Sequence, residues 1–106
     1  MTLGFEFHPE ARAELFADVE WYDAREPDLG LRFETAVREA VDAAVEAPSA
    51  WSVWLGWERE PVVRSKGVNG FPYRVVYFVA DDLVRIVAVA HTRRRPGYWR
   101  ERVPSP

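Results

Sequence analysis

The feature that most constrains this chain is a change of hydrophobic period partway along it. Up to about residue 47 the apolar residues recur at helical spacing. Beyond residue 70 they form two nearly continuous runs, Tyr73 to Val79 and Leu83 to Ala90, divided by Asp81-Asp82. Ala11, Leu15, Val19 and Tyr22 make one stripe, with Arg12, Glu20 and Asp23 on the opposite face. Phe33, Val37, Ala40, Val41 and Ala44 make a second stripe, with Glu34, Arg38 and Asp42 outside. Pro9 suits a first helical position, and Glu10 and Glu14 suit the positive end of the helix dipole. The segment Glu26-Pro27-Asp28-Leu29-Gly30 breaks the first helix, and Pro48 ends a second that runs from about Leu31 to Ala47. So short a link predicts an antiparallel helical hairpin.

Strands occupy the rest. Leu3 to Phe7 alternates, with its odd positions facing inward, and Val62 to Ser65 is a short strand stopped by Gly67. Tyr73 to Val79 is rich in β-branched and aromatic residues and reads as a central strand; Asp81-Asp82 turns the chain into the last one. Between Pro48 and Pro61, Trp51, Trp54 and Trp57 recur every third residue, which predicts a loop or a single helical turn rather than a strand. These rings either close over a core edge or form an exposed patch for a partner. The order β-α-α-β-β-β predicts an α+β fold, with the hairpin packed on one face of a small, mainly antiparallel sheet. The chain of 106 residues is expected to be one domain, 1–106.

Charge is divided as sharply as period. Residues 1–60 hold five arginines against fourteen acidic residues, a net of −9, whereas residues 61–106 hold nine basic against three acidic residues, a net of +6. The C-terminal half therefore builds a basic surface for a polyanion or an acidic partner, or else the two halves neutralise each other. The low pI of 5.4 argues against indiscriminate nucleic-acid binding. No cysteine is present, which excludes disulfides and thiolate metal sites. No apolar run is long enough for a membrane span, and residues 1–6 lack a secretory signal, so a cytoplasmic protein is expected. No metal-ligand spacing and no glycine-rich phosphate loop occurs, so no cofactor is expected.

Several segments taken together resemble the RelE/ParE superfamily of bacterial toxins. They are Pro9-Glu10-Ala11, Trp21-Tyr22, Leu29-Gly30 followed by Phe33, and the strand Phe71-Pro72-Tyr73-Arg74-Val75-Val76-Tyr77. Val87-Ala88-Val89-Ala90-His91 then leads into Arg93-Arg94-Arg95-Pro96-Gly97-Tyr98-Trp99. The resemblance spans nearly the whole chain, and Tyr98-Trp99 places it closer to the ParE-like, plasmid-stabilisation branch. It implies a growth-inhibiting toxin of a type II toxin–antitoxin module, held by a cognate antitoxin. Relatives act in two ways: the ParE-like branch inhibits DNA gyrase, and the RelE-like branch cleaves mRNA on the ribosome.

Cleaving RNA through its 2′-hydroxyl needs a base, a cation on the phosphate and an acid for the leaving oxygen. His91 is the candidate base or acid, since imidazole ordinarily titrates near neutral pH. Arg74, Arg93, Arg94 or Arg95 could clamp the phosphate, and Tyr98 could stack on a base. Arg94 and Tyr98 resemble the Arg-and-Tyr pairing of RNA-cleaving relatives, and Lys66 lies near where such relatives carry basic residues. The structural alternatives are a hydrogen-bonded His91, an Arg74 paired with an acidic helix residue, and a Tyr98-Trp99 anchor for the tail. The acidic N-terminal half, and middle strands offering only Arg64, Lys66 and Arg74 as cations, favour the ParE-like reading. On that reading Arg93, Arg94, Arg95, Tyr98, Trp99, Arg100 and Arg102 form a contact surface for a target or partner. A third alternative is a non-toxic relative that only binds an antitoxin.

Overall fold

The two apolar runs become the middle of a sheet in the computed structural model, which describes residues 3–105. Strand β1 (Gly4–Phe7) leads into helices α1 (Pro9–Asp23) and α2 (Leu29–Glu46), then β2 (Ser52–Val53), β3 (Arg64–Gly67), β4 (Tyr73–Ala80) and β5 (Leu83–His91). The sheet order is β1-β5-β4-β3-β2, with β1 parallel to β5 and every other pair antiparallel. Asp81 and Asp82 both take positive φ, 54° and 60°, the conformation that a two-residue hairpin turn needs to match strand twist. The α+β architecture expected from the period change, two helices on a mainly antiparallel sheet, is therefore present, with the parallel β1–β5 pair making the sheet mixed.

The helices pack on one face as the stripes require. Ala11, Leu15, Phe33, Val37, Val41 and Ala44 are buried, and most of them join Val75, Tyr77, Val84, Ile86 and Val89 of the central strands in one core. Leu3 and Phe7 pack against that core, but Phe5 stays half exposed because β1 is an edge strand. Helix α1 starts at a His8 cap, whose Nδ1 accepts the Glu10 N–H at 3.1 Å. Among the described residues, no helix is long and apolar enough to cross a membrane.

At Gly30 the two helices are in tight contact. Its N–H donates to Asp23 Oδ1 at 2.8 Å, and a Cβ built there would lie 2.5 Å from both the Asp23 carboxyl and the Val19 carbonyl. Backbone cannot yield as a flexible side chain can. Gly30→Ala is therefore expected to cost about 2 kcal/mol by overpacking, read as a fall in the urea midpoint. An unchanged midpoint would show that the hairpin is looser than this packing implies.

Three local expectations change. Residues 52–53 are a strand, not a loop or helical turn, because the outer edge of β3 offers unpaired backbone groups; Ser52 faces Ser65 and Val53 faces Arg64. The order is thus β-α-α-β-β-β-β. Strand β3 also begins two residues later than expected, and α2 begins at Leu29.

The largest addition is on the second sheet face, away from the helices. Trp57, Val63, Val76, Phe78, Val87, Ala88, Trp99 and Val103 form a separate buried cluster there, with Trp54 and Tyr98 against it. A β-bulge makes room for it. Val76 pairs with Ala88 and Tyr77 with Ile86, so Val87 is the extra residue, and Val87 and Ala88 both face this second cluster. Trp51 belongs to the other side, where it packs against the helix-face core and donates Nε1–H to the Ala43 carbonyl at 3.1 Å. All three tryptophans of the connection therefore close core edges.

Candidate functional site: the arginine turn and its anchor

The chain leaves β5 at His91 and turns sharply. The Arg94 N–H donates to the His91 carbonyl at 3.0 Å, and the Arg93 N–H donates to His91 Nδ1 at 3.0 Å. An Nδ1 that accepts leaves the neutral ring's proton on Nε2. The His91 ring meets Tyr73 edge-on at 5.0 Å. His91 is thus hydrogen-bonded locally, to backbone and not to a carboxylate. Thr92 to Pro96 are exposed, and Arg93, Arg94 and Arg95 project from this turn. Arg93 and Arg95 have no carboxylate partner among the described residues.

Gly97, with φ of 77°, then reverses the chain, and Tyr98, Trp99 and the 3-10 turn Arg100–Arg102 return to the protein. Trp99 is 1% exposed, with its ring 5.0 Å from Trp54 and 5.7 Å from Trp57. Arg102 is turned inward as well. Its Nη1 and Nη2 donate to Glu14 Oε1 and Oε2 at 2.9 and 2.7 Å, and Nη1 also reaches the Val87 carbonyl at 3.0 Å. Glu10 Oε2 lies 3.7 Å from Arg102 Nε. Tyr98 donates its hydroxyl to Glu14 Oε1 at 3.3 Å, and the Arg94 guanidinium lies over the Tyr98 ring at 4.0 Å. One helix carboxylate thus receives the tail at two residues.

Electrostatics follow from this geometry. The Arg102 hydrogen bonds hold the Glu14 pKa below its ordinary value against the opposing effect of burial, and the Arg102 pKa is raised in return. Asp18, one turn further along α1, is pushed up by burial and by the Glu14 charge, with His91 and Arg94 partly offsetting the rise. Burial raises the Tyr98 hydroxyl too, helped by the Glu14 charge. Part of the charge division is therefore neutralised internally, through Glu14 and Glu10 with Arg102 and through Glu6 with Arg85 at 3.2 Å.

The structure gathers His91, Arg94 and Tyr98 beside Glu14 and Asp18, but it separates Arg74 from them. Directly paired residues share a sheet face: Tyr73 pairs with His91 and packs in the helix-side core, whereas Arg74 pairs with Ala90, which packs in the other cluster. Arg74 donates through Nε to Ser65 Oγ at 2.8 Å and through Nη2 to the Ser65 carbonyl at 3.2 Å, so it has no helix carboxylate as partner. Lys66 lies over the Trp51 ring at 4.8 Å. Of the residues expected on a contact surface, Arg93, Arg94, Arg95 and Arg100 are exposed and Tyr98 is half-buried, while Trp99 and Arg102 serve the interior. Glu14 and Asp18 escaped the sequence reading. Their spacing of four residues along α1 was the available signal, and Glu14 suited the helix dipole well enough to need no other role.

A second surface lies beside the helical hairpin. Phe5, Phe7, Phe16 and Val41 line an apolar groove there, with Arg12 and Arg38 among its polar residues.

The structure is thus a two-helix, mixed-sheet α+β module that carries an exposed arginine turn and an apolar groove. The family model for the ParE toxin of the type II toxin–antitoxin system, parDE, matches residues 5–96. The chain belongs to this family, within the RelE/ParE superfamily, which makes it the toxin side of a type II module and implies a cognate antitoxin. The match includes His91 and Arg93 to Arg95 but ends before Tyr98, Trp99 and Arg102. A comparison with curated proteins finds no match.

Proposed function

We propose that this toxin arrests growth by binding a protein target such as DNA gyrase through the exposed Arg93–Arg95 turn, with no hydrolytic step of its own. The carrying observation is the division of the candidate ribonuclease residues between sheet faces. A phosphate held near His91 would lie across the sheet from Arg74, and it would have the Glu14 and Asp18 carboxylates, which feel the Arg94 charge, close by. Phosphoryl chemistry needs base and cation on one phosphate, and carboxylates beside it oppose the developing negative charge. Arginine is also the charged residue most enriched at protein interfaces. The antitoxin fits the apolar groove by hydrophobic contacts, with acidic side chains towards Arg12, Arg38 and the arginine turn.

One observation favours ribosome-dependent mRNA cleavage instead: the Arg94 guanidinium lies over the Tyr98 ring at 4.0 Å, and the Arg94 N–H donates to the His91 carbonyl at 3.0 Å. Inducing the toxin and following DNA supercoiling, DNA breaks and mRNA ends in the same culture separates the readings. Loss of supercoiling or DNA breakage, with no new mRNA ends, is expected. New mRNA ends appearing first would overturn the gyrase reading. Replacing Arg93, Arg94 and Arg95 together by alanine is expected to reduce toxicity about tenfold or more, while thermal stability changes by less than about 0.5 kcal/mol.

A further inference from the structure

We infer that Glu14 is a positioning residue for Arg94: from helix α1 it fixes the tail that presents this guanidinium to the target. The inference rests on the arginine turn being the contact surface. Arg94 itself has no carboxylate within salt-bridge distance among the described residues. What orients it is the Tyr98 ring beneath, 4.0 Å away. That ring is held in turn at its hydroxyl by Glu14, at 3.3 Å, and has the Arg102 guanidinium on it at 5.3 Å. Arg102 is fastened to both Glu14 oxygens and to the Val87 carbonyl at the bulge. Among the described residues Glu14 is thus the acceptor that Tyr98 and Arg102 share.

The chemistry suits orientation. A cation on an aromatic face keeps its edge N–H donors turned outward, available to a carboxylate or carbonyl of a protein partner. A guanidinium held in one place also loses less side-chain entropy when it binds. Arg102, not Arg94, occupies both Glu14 oxygens, so the Arg94 N–H donors are left for a partner. Without Glu14, the Tyr98 hydroxyl and two Arg102 donors lose their acceptor, and the platform under Arg94 is no longer pinned.

Growth inhibition by Glu14→Gln, Arg94→Ala and the double variant tests this, with each protein's level measured alongside growth. Glu14→Gln is expected to raise the toxin level that halves growth rate about tenfold, and the double variant to be no weaker than Arg94→Ala. This non-additivity is a readout that a merely structural role would not produce. Glu14→Asp, which keeps the carboxylate, is expected to recover part of the loss. If Arg94→Ala is weakened while Glu14→Gln keeps full potency, the positioning role is wrong. If the two losses multiply, Glu14 acts through general stability and the inference is overturned. If Arg94→Ala is as potent as the unaltered toxin, the contact-surface reading itself fails. Should Glu14→Gln not fold, Glu14→Gln/Arg102→Met, which leaves no unpaired buried guanidinium, is compared with Arg94→Ala in the same way and is held to the same outcomes.

Discussion

Trp99→Ala is expected to lower the unfolding free energy by about 4 kcal/mol, a large share of the 5–15 kcal/mol typical of a domain. The side chain is 1% exposed and packs against Trp54 and Trp57, and with them it shields Val76, Phe78, Val87 and Ala88 from water. Truncation removes the largest fully buried side chain and leaves a cavity that two flanking tryptophans on an irregular connection cannot close without moving. For a chain of this size the melting temperature is expected to fall by roughly 15–25 °C. Trp99→Phe is expected to cost much less, about 1–2 kcal/mol. The Trp99 Nε1–H has no hydrogen-bond partner among the described residues, so phenylalanine loses volume but breaks no hydrogen bond to them. Denaturant unfolding followed by tryptophan fluorescence measures both. A loss under about 1 kcal/mol for Trp99→Ala would mean that the tail is not docked on the sheet in solution.

Arg102→Ala is expected to cost about 3 kcal/mol, from a different cause. The Arg102 side chain is 10% exposed and Glu14 26%, so the pair is largely withdrawn from water. Removing the guanidinium leaves Glu14 without its main counter-charge and the Val87 carbonyl without its donor. The double variant Glu14→Gln/Arg102→Met is expected to be more stable than Arg102→Ala, because no half of the pair is left stranded. The effect has a definite pH signature. The folded-state pKa of Glu14 is depressed, so its contribution is complete above the ordinary carboxylate range and is lost as pH falls through the folded-state value. The gap in urea midpoint between the unaltered protein and Arg102→Ala should therefore narrow on acidification. Asp18 titrates with the opposite sign, since its raised pKa means that it takes up a proton earlier and is relieved by doing so. A gap that stayed constant from neutral pH to well below the carboxylate range would remove the Glu14–Arg102 pair as its cause.

Of these two residues the sequence offers Trp99 as an anchor for the tail, but it marks Arg102 only as part of a basic contact surface. Arg93 and Arg102 are indistinguishable as letters; the first projects into solvent and the second is clasped by a helix carboxylate 88 residues away in sequence. Likewise Arg74 and His91 lie on neighbouring, adjoining strands and read as plausible catalytic partners. One residue of register decides that they sit on opposite faces, because side chains alternate along a strand.

The change of period with which the sequence declares itself did determine a great deal. Helical spacing before residue 47 and continuous β-branched runs after residue 70 specify the hairpin, the central strands and the helix-side core, since both signals are local to the elements they describe. The family is also legible, being carried by short motifs along the chain. What only the tertiary structure decided is the second sheet face: the Val87 bulge, the tryptophans gathered from residues 54, 57 and 99, and the Glu14–Arg102 clasp. These join residues far apart in sequence and have no period of their own. The surface each covers exists only once the sheet has formed, so no local pattern could announce them.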